Sequence, residues 1–415
     1  ERARQTALIE RAALPLDAPD WVRQLVLGAD QFIVTRKIGD ETGKSVIAGY
    51  PWFSDWGRDT MIALPGLTID TGRPDDAASI LWTYGRYIDQ GMLPNRFPDD
   101  DSPPEYNTVD AALWYFQAVY AWFQAVGADH PLLPDLYNVL TEIIRWHEQG
   151  TRYNIHRDPA DGLLFAGEPG MQLTWMDIKA DGWVATPRTG KPVEINALWY
   201  GALRVTAELA LALGHRDDAA RYSAMAEQVY ASFNERYWCN GGYLYDVIDS
   251  PDGDDPTLRP NQIFAIALPF PLLEGERAES VVTVCARELV VSCGLRTLAP
   301  DENNYHGFYG GDQLQRDAAY HQGTAWAWLL GPFAIAHYRV FGDAAAAASY
   351  LRPLADHIND HGIGNISEIF DGDPPHTPRG CPAQAWSVAT ALRAWRELHP
   401  APSAEAVATP PVQES

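Results

Sequence analysis

Cysteine is scarce in this chain: Cys239, Cys285, Cys293 and Cys381 lie scattered through 415 residues. None pairs as Cys-x2-Cys and no His-x3-5-His accompanies them. A structural zinc site therefore loses its signature, and buried thiols of a reducing, cytoplasmic compartment are expected. Basic residues are also in deficit, 31 Lys and Arg against 55 Asp and Glu, for a net charge of −24. That balance speaks against nucleic acid or anionic membrane as the main partner, because both require clustered cations. No apolar run approaches the length of a membrane span. The Gly-x-Ser-x-Gly elbow, the Gly-x4-Gly-Lys-Ser/Thr phosphate loop and the His-Glu-x2-His pair are all missing. No metal or organic cofactor is implied. The acidic stretch Asp249–Asp255 misses EF-hand spacing and reads as a solvated turn. The opening residues Glu1-Arg2-Ala3-Arg4-Gln5 carry neither an initiator Met nor a signal peptide. They suggest an excised fragment with further chain upstream.

Aromatic residues, by contrast, are plentiful and crowd the connections. The segment Gly49-Tyr50-Pro51-Trp52-Phe53-Ser54-Asp55-Trp56-Gly57-Arg58-Asp59 packs four aromatics, two carboxylates and an arginine into eleven positions. Neither an amphipathic helix nor an alternating strand needs that mixture. Sugar recognition does, since a pyranose stacks its CH face on indoles and phenols and binds its hydroxyls to charged forks. The plainer alternative is a tight aromatic turn with an internal Arg–Asp pair.

Helical periodicity dominates, with twelve candidate helices from Trp21–Phe32 to Pro382–Leu398. The long ones include 59–71, 75–90, 107–127, 192–214, 217–237, 318–341 and 344–358. Strand-like stretches are few and short, at 32–35, 45–48 and 163–165. Long Gly-, Pro- and aromatic-rich loops after alternate helices suit an all-α toroid of six antiparallel hairpins, its loops gathered at one end. A helical solenoid is the alternative, weakened by the lack of a regular 34- or 40-residue period. Residues 1–400 are expected to form one catalytic domain, and 401–415 a disordered tail.

In Thr174-Trp175-Met176-Asp177-Ile178-Lys179 a carboxylate is flanked by an indole and an amine. Asp177 is either a desolvated acid or a solvated loop residue paired with Lys179. Glu368, in Ser367-Glu368-Ile369-Phe370-Asp371-Gly372, sits among apolar residues and either meets a buried partner or faces a cavity. His321 is equally a capped core histidine or a sugar ligand. Two carboxylates on opposite walls of an aromatic funnel are what glycosidic cleavage needs.

Six ordered stretches resemble the amylo-α-1,6-glucosidase family, the C-terminal catalytic domain of glycogen debranching enzymes. They are Gly49–Leu67, Tyr106–Leu113, Thr174–Trp199, Arg259–Pro269, Tyr320–Phe333 and Ser367–Val388, which span nearly the whole chain. The resemblance implies an (α/α)6 toroid with minor strands and an inverting, exo-acting hydrolase that removes single α-1,6-glucosyl stubs from α-glucans. It assigns Asp177 as general acid and Glu368 as general base. By similarity to the more distant glucoamylases, Trp56, Arg58, Asp59 and Trp386 would bind the terminal glucose. Motif position adds Asp55, Asn107, Asp110, Trp175, Lys179 and His321 as further walls. The family's Trp-Pro-Trp is Trp326-Ala327-Trp328 here, a departure at a helix start. An upstream domain of the kind full-length relatives carry is absent from these residues, and polymer binding would depend on it. The same fold acting on an α-1,4 chain, trehalose, isomaltose or a glucosylglycerate-like solute is the nearest rival reading. A non-catalytic sugar-binding domain and a helical protein scaffold come after it.

Overall fold

The computed structural model describes residues 1–400 other than 39–40, 98–102, 181 and 363; the expected tail at 401–415 lies outside the described residues. After α1 (Arg2–Ala12), helices alternate between an outer and an inner layer. Outer α2 (Asp20–Phe32) leads to inner α3 (Gly57–Leu67), α4 (Pro74–Gly85) to α5 (Asp110–Val126), and α6 (Leu133–Gln149) to α7 (Val193–Ala212). Outer α8 (Arg216–Arg236) leads through a 3-10 turn to short inner α9 (Phe264–Ala267). Outer α10 (Gly275–Glu288) is followed by α11 (Gln313–Ala319) and inner α12 (Leu330–Phe341). Last come outer α13 (Ala344–Ser349) and α14 (Pro353–Asp360), then inner α15 (Ala385–Leu398). Each inner helix packs on the next, α3 on α5, then α7, α9, α12 and α15, and α15 returns to α3. The ring is closed, as the (α/α)6 expectation requires.

Sequence pattern decides which layer a helix joins. In α5 every residue from Asp110 to Val119 is buried, so the helix is enclosed on all sides and belongs inside. In α6 the buried residues Leu136, Tyr137, Leu140, Ile143, Ile144 and His147 repeat at helical spacing and form one stripe, which suits the outer layer. Backbone approach tightens the ring at two glycines. A Cβ on Gly66 of α3 would lie 2.0 Å from the Ala389 carbonyl oxygen of α15, and one on Gly331 of α12 would lie 2.3 Å from that of Thr390.

Several boundaries differ from the periodicity. The stretch 318–341 is not one helix: Gly323 takes φ +139° under the His306 carbonyl, and Ala325–Trp326 then runs as a strand. That strand sits centrally in a five-stranded antiparallel sheet, between Gly294–Arg296 and Ile369–Phe370. The stretch 344–358 breaks ahead of Pro353, which lacks the amide a continuing helix would need. Helix α1 buries only Leu8 and Ala12, too few for a periodic signal. Short α11 falls largely in a stretch that carries no helical periodicity; it is held by a capping box, in which Asp312 and Gln315 bond each other's backbone amides.

Gly66→Ala and Gly331→Ala should each lower stability by about 1–3 kcal/mol, because the added methyl meets backbone and not a side chain that can turn away. Urea unfolding measures this; an unchanged midpoint in both would show that α15 can shift without cost.

Candidate active site at the helix N-termini

Inner helices α3, α5 and α15 present their N-terminal ends to one mouth of the ring. Trp56 caps α3, Arg58 and Asp59 form its first turn, Asp110 opens α5, and Trp386 lies in the first turn of α15. The positive ends of these helices favour carboxylates at this mouth. Gly57 makes the approach possible: its amide bonds the Asn95 carbonyl at 2.8 Å, and a Cβ there would lie 1.9 Å from the Pro94 oxygen.

The mouth holds a cavity of ≈ 320 Å³ lined by Trp56, Arg58, Asp59, Asn107, Trp175, Asp177, His321, Glu368 and Trp386. Tyr320, Trp326, Gln172, Gln384, Asn95, Glu105, Phe53 and Ile178 complete the wall. Its floor is a mesh of rings. Trp175 meets His321, Trp326 and Trp328 edge-on at 5.2–5.3 Å, and Trp328 stacks on Trp386 at 5.1 Å. Asn107 Oδ1, Gln384 Oε1, Gln172 Oε1, Trp386 Nε1 and both His321 nitrogens have no hydrogen-bond partner among the described residues. Polar atoms set into an aromatic bowl are what a polyol would satisfy.

Arg58 is the pivot. Its Nε donates to Asp110 Oδ2 at 2.8 Å, its Nη1 to Asp177 Oδ2 at 2.7 Å, and its Nη2 to the Thr174 carbonyl at 3.0 Å. Burial works against its charge, and the two carboxylates outweigh that and hold it protonated. Asp59, on the same turn, is pushed up to about 7 by burial; Arg58 pulls it back, while Asp177 and Glu368 push further. Glu368 is likewise pushed up to about 7 by burial. Two donors oppose that rise: the Tyr320 hydroxyl on Oε1 and the Cys381 amide on Oε2 at 2.9 Å. Gly380 clears the space, since it has φ +62° and a Cβ there would lie 2.3 Å from Glu368 Oε2. Desolvation, with Arg259 and Arg58 nearby, drives His321 well below its ordinary value, so it is neutral.

A buried lattice stands behind the wall. Arg188 binds Asp246 and Glu194 and reaches Thr174 Oγ1 at 3.2 Å. Asn261 donates to Asp246 and accepts the Trp175 indole N–H at 2.8 Å. Arg259 donates to the carbonyls of Thr297 and His321.

Nine of the twelve residues singled out from sequence meet at this cavity. Three do not line it. Asp55 is wholly buried, bonded to Ser45 Oγ at 2.9 Å and paired with Arg36 at 3.0 Å, so it anchors the strands before α3. Lys179 turns outward to the Gly170 carbonyl, and the cation on Asp177 is Arg58 instead. Asp110 lies beneath Arg58, 1% exposed. Tyr320 went unnoticed beside His321, although a phenol one residue from a candidate ligand was a usable signal. Arg188, Asp246 and Asn261 gave none, since their partners lie far away in sequence. Among the described residues one group of three carboxylates could hold a cation, Asp158, Asp161 and Asp249. Lys191 Nζ already sits there, 2.8 Å from each. No helix among them is long and apolar enough to cross a membrane.

A family model described as amylo-alpha-1,6-glucosidase matches residues 27–393. The glycogen debranching enzyme of Saccharomyces cerevisiae is 26% identical over 86% of this chain, which spans only 30% of that protein. A GH63 mannosylglycerate hydrolase from Thermus thermophilus, solved with Tris, superposes with TM-score 0.63 at 14% identity, over 90% of this chain and 99% of that one. An uncharacterized conserved protein from the same organism gives 0.59 at 16%, over 85% and 95%. These two likenesses establish the fold.

Raising a buried carboxyl's pKa makes its ionisation costly to the fold. For Glu368 the contribution is intact below the unfolded value near 4.5 and is lost as pH rises to about 7. Glu368→Gln should therefore gain on the wild type by roughly 2–3 kcal/mol between pH 4.5 and 8, measured by urea unfolding. A gap that stays constant with pH would mean Glu368 is not desolvated.

Proposed function

From its membership of the amylo-α-1,6-glucosidase family of glycoside hydrolases, we propose that the chain removes single α-1,6-linked glucosyl residues from branched α-glucans, with inversion at the anomeric carbon. The observation that carries this reading is the pair Asp177 and Glu368, brought from separate loops into one aromatic-floored cavity. Its size is at the low end for ligand sites, enough for a terminal sugar but not for a polymer, which suits exo action. The debranching activity named for the yeast protein agrees with the family assignment.

Asp177 would protonate the glycosidic oxygen of the departing chain. Glu368, poised near neutrality by burial and by its two donors, would take a proton from the attacking water. Asp59, Asn107, Gln384 and His321 would bind sugar hydroxyls, over the ring floor of Trp175 and Trp386. The cavity wall carries four carboxylates, Asp59, Glu105, Asp177 and Glu368. Among the described residues its one cation, Arg58, is engaged on three sides. A neutral glucoside fits that field better than an anionic solute. A reducing compartment suits the four unpaired, buried thiols.

Proton NMR of a maltooligosaccharide bearing one α-1,6-glucosyl stub should reveal β-glucose first, with a linear maltooligosaccharide left intact. Early α-glucose would overturn inversion, and glucose from the linear control would overturn the linkage. Asp177→Asn and Glu368→Gln should each lower kcat by at least a hundredfold. Tyr320→Phe removes a donor from ionised Glu368, so its pKa rises and the acidic limb of kcat/KM moves to higher pH. A limb that stays in place would mean that another group is the base.

A further inference from the structure

The proposed acid shares its carboxylate with a buried guanidinium. A cation in contact favours the charged form of a carboxylate, yet a general acid must carry a proton when the glycosidic oxygen arrives. The far side of the same guanidinium resolves the conflict. Asp110 Oδ2 accepts Arg58 Nε at 2.8 Å, while Asp110 Oδ1 has no hydrogen-bond partner among the described residues. Asp110 is 1% exposed and stands off the cavity wall, so sugar does not reach it. A neutral amide could accept the same single bond. What Asp110 adds is charge.

The other charges around this group do not take that place. Asp59 and Glu368 face the cavity, and Glu368 is bonded to Tyr320 and the Cys381 amide. Arg188, behind Thr174, is matched by Glu194 and Asp246. Arg259 lies 3.8 Å from Asp246. His321 is neutral, Glu105 pairs with Arg96 at the rim, and Lys179 is turned to Gly170.

We propose that Asp110 is a positioning residue that acts through Arg58, a counter-charge that weakens the hold of the guanidinium on the Asp177 carboxylate. The inference rests on the assignment of Asp177 as the acid. Burial raises the Asp110 carboxyl and the bonded Arg58 works against that rise; with Asp110 ionised, Arg58 belongs to a carboxylate–guanidinium–carboxylate row, and its field at Asp177 is partly cancelled. Without Asp110 the full cation bears on the acid alone.

The test is the pH dependence of kcat for hydrolysis of the branched oligosaccharide. Asp110→Asn should move the alkaline limb down by about one pH unit, with kcat recovering toward the wild-type value on the acidic side. Arg58→Gln should move it up, and the double variant, which removes both charges, should return it near its original place. The double variant also keeps the question open to experiment if Asp110→Asn alone fails to fold, since it leaves no unpaired charge between the two positions. Asp110→Glu should hold the limb in place even where kcat falls. With α-glucosyl fluoride, whose leaving group needs little protonation, the limb should vanish in every variant. A uniform fall in kcat with an unmoved limb in Asp110→Asn, or a double variant displaced as far as Arg58→Gln, would reduce Asp110 to a structural role. In both cases the function would still stand. A wild-type protein that releases no glucose from the branched substrate overturns the function and this inference together.

Discussion

A guanidinium cannot be left unpaired in a protein interior, and the architecture of this site follows from how Arg58 is satisfied. Taking a charge out of water costs several kcal/mol unless opposite charge and hydrogen bonds replace the lost solvent. Arg58 is 4% exposed, and its bonds reach α5 and the loop that carries Thr174 and Asp177. Breaking any of them would strand a buried charge, so the first turns of α3 and α5 and the 174–177 loop hold a common geometry. The position of Asp177 is therefore set by electrostatics more than by its own loop.

The same logic extends outward in a second layer. Arg188 ties Thr174 to α7 through Glu194 and to Asp246, and Asn261 joins Asp246 to the indole of Trp175. The aromatic floor is thus not an oily patch but a set of rings held at their polar edges. Glu368 depends instead on backbone: the five-stranded sheet places it, and the Gly380–Cys381 turn closes over its carboxylate. One carboxylate is positioned by ion pairs and the other by sheet geometry.

How much of this was legible in the sequence depends on how local each signal is. The hairpin pairing of the helices was readable, because long Gly-, Pro- and aromatic-rich connections follow alternate helices; which helix of a pair lies inside was not assigned, although burial on all sides in α5 and on one stripe in α6 sets them apart. The strand at Ala325–Trp326 was not readable, because Ala325–Leu330 is apolar and aromatic throughout and Gly323, just ahead of it, is the local mark of the break. Among site residues, those beside rare motifs were found. Asp55 and Lys179 were drawn in by their neighbours, yet the chain turns between adjacent positions: Asp55 points back to Arg36 and Ser45, while Trp56 faces the cavity. The ion pairs that decide these directions join residues as far apart as Arg58 and Asp177, and no local pattern encodes such a partner.

The closed ring also carries a meaning in time. Helices α3 and α15, which seal it, are separated by more than three hundred positions along the chain. Contacts of such span carry a large loop-closure entropy and form late, and during synthesis α15 leaves the ribosome after the other helices of the ring. Glu368, Gln384 and Trp386 all belong to that final stretch. A nascent chain halted before it could hold Arg58, Asp110 and Asp177 together and still have neither Glu368 nor a finished floor. Competence would then arrive all at once, when the last helix docks against one of the first.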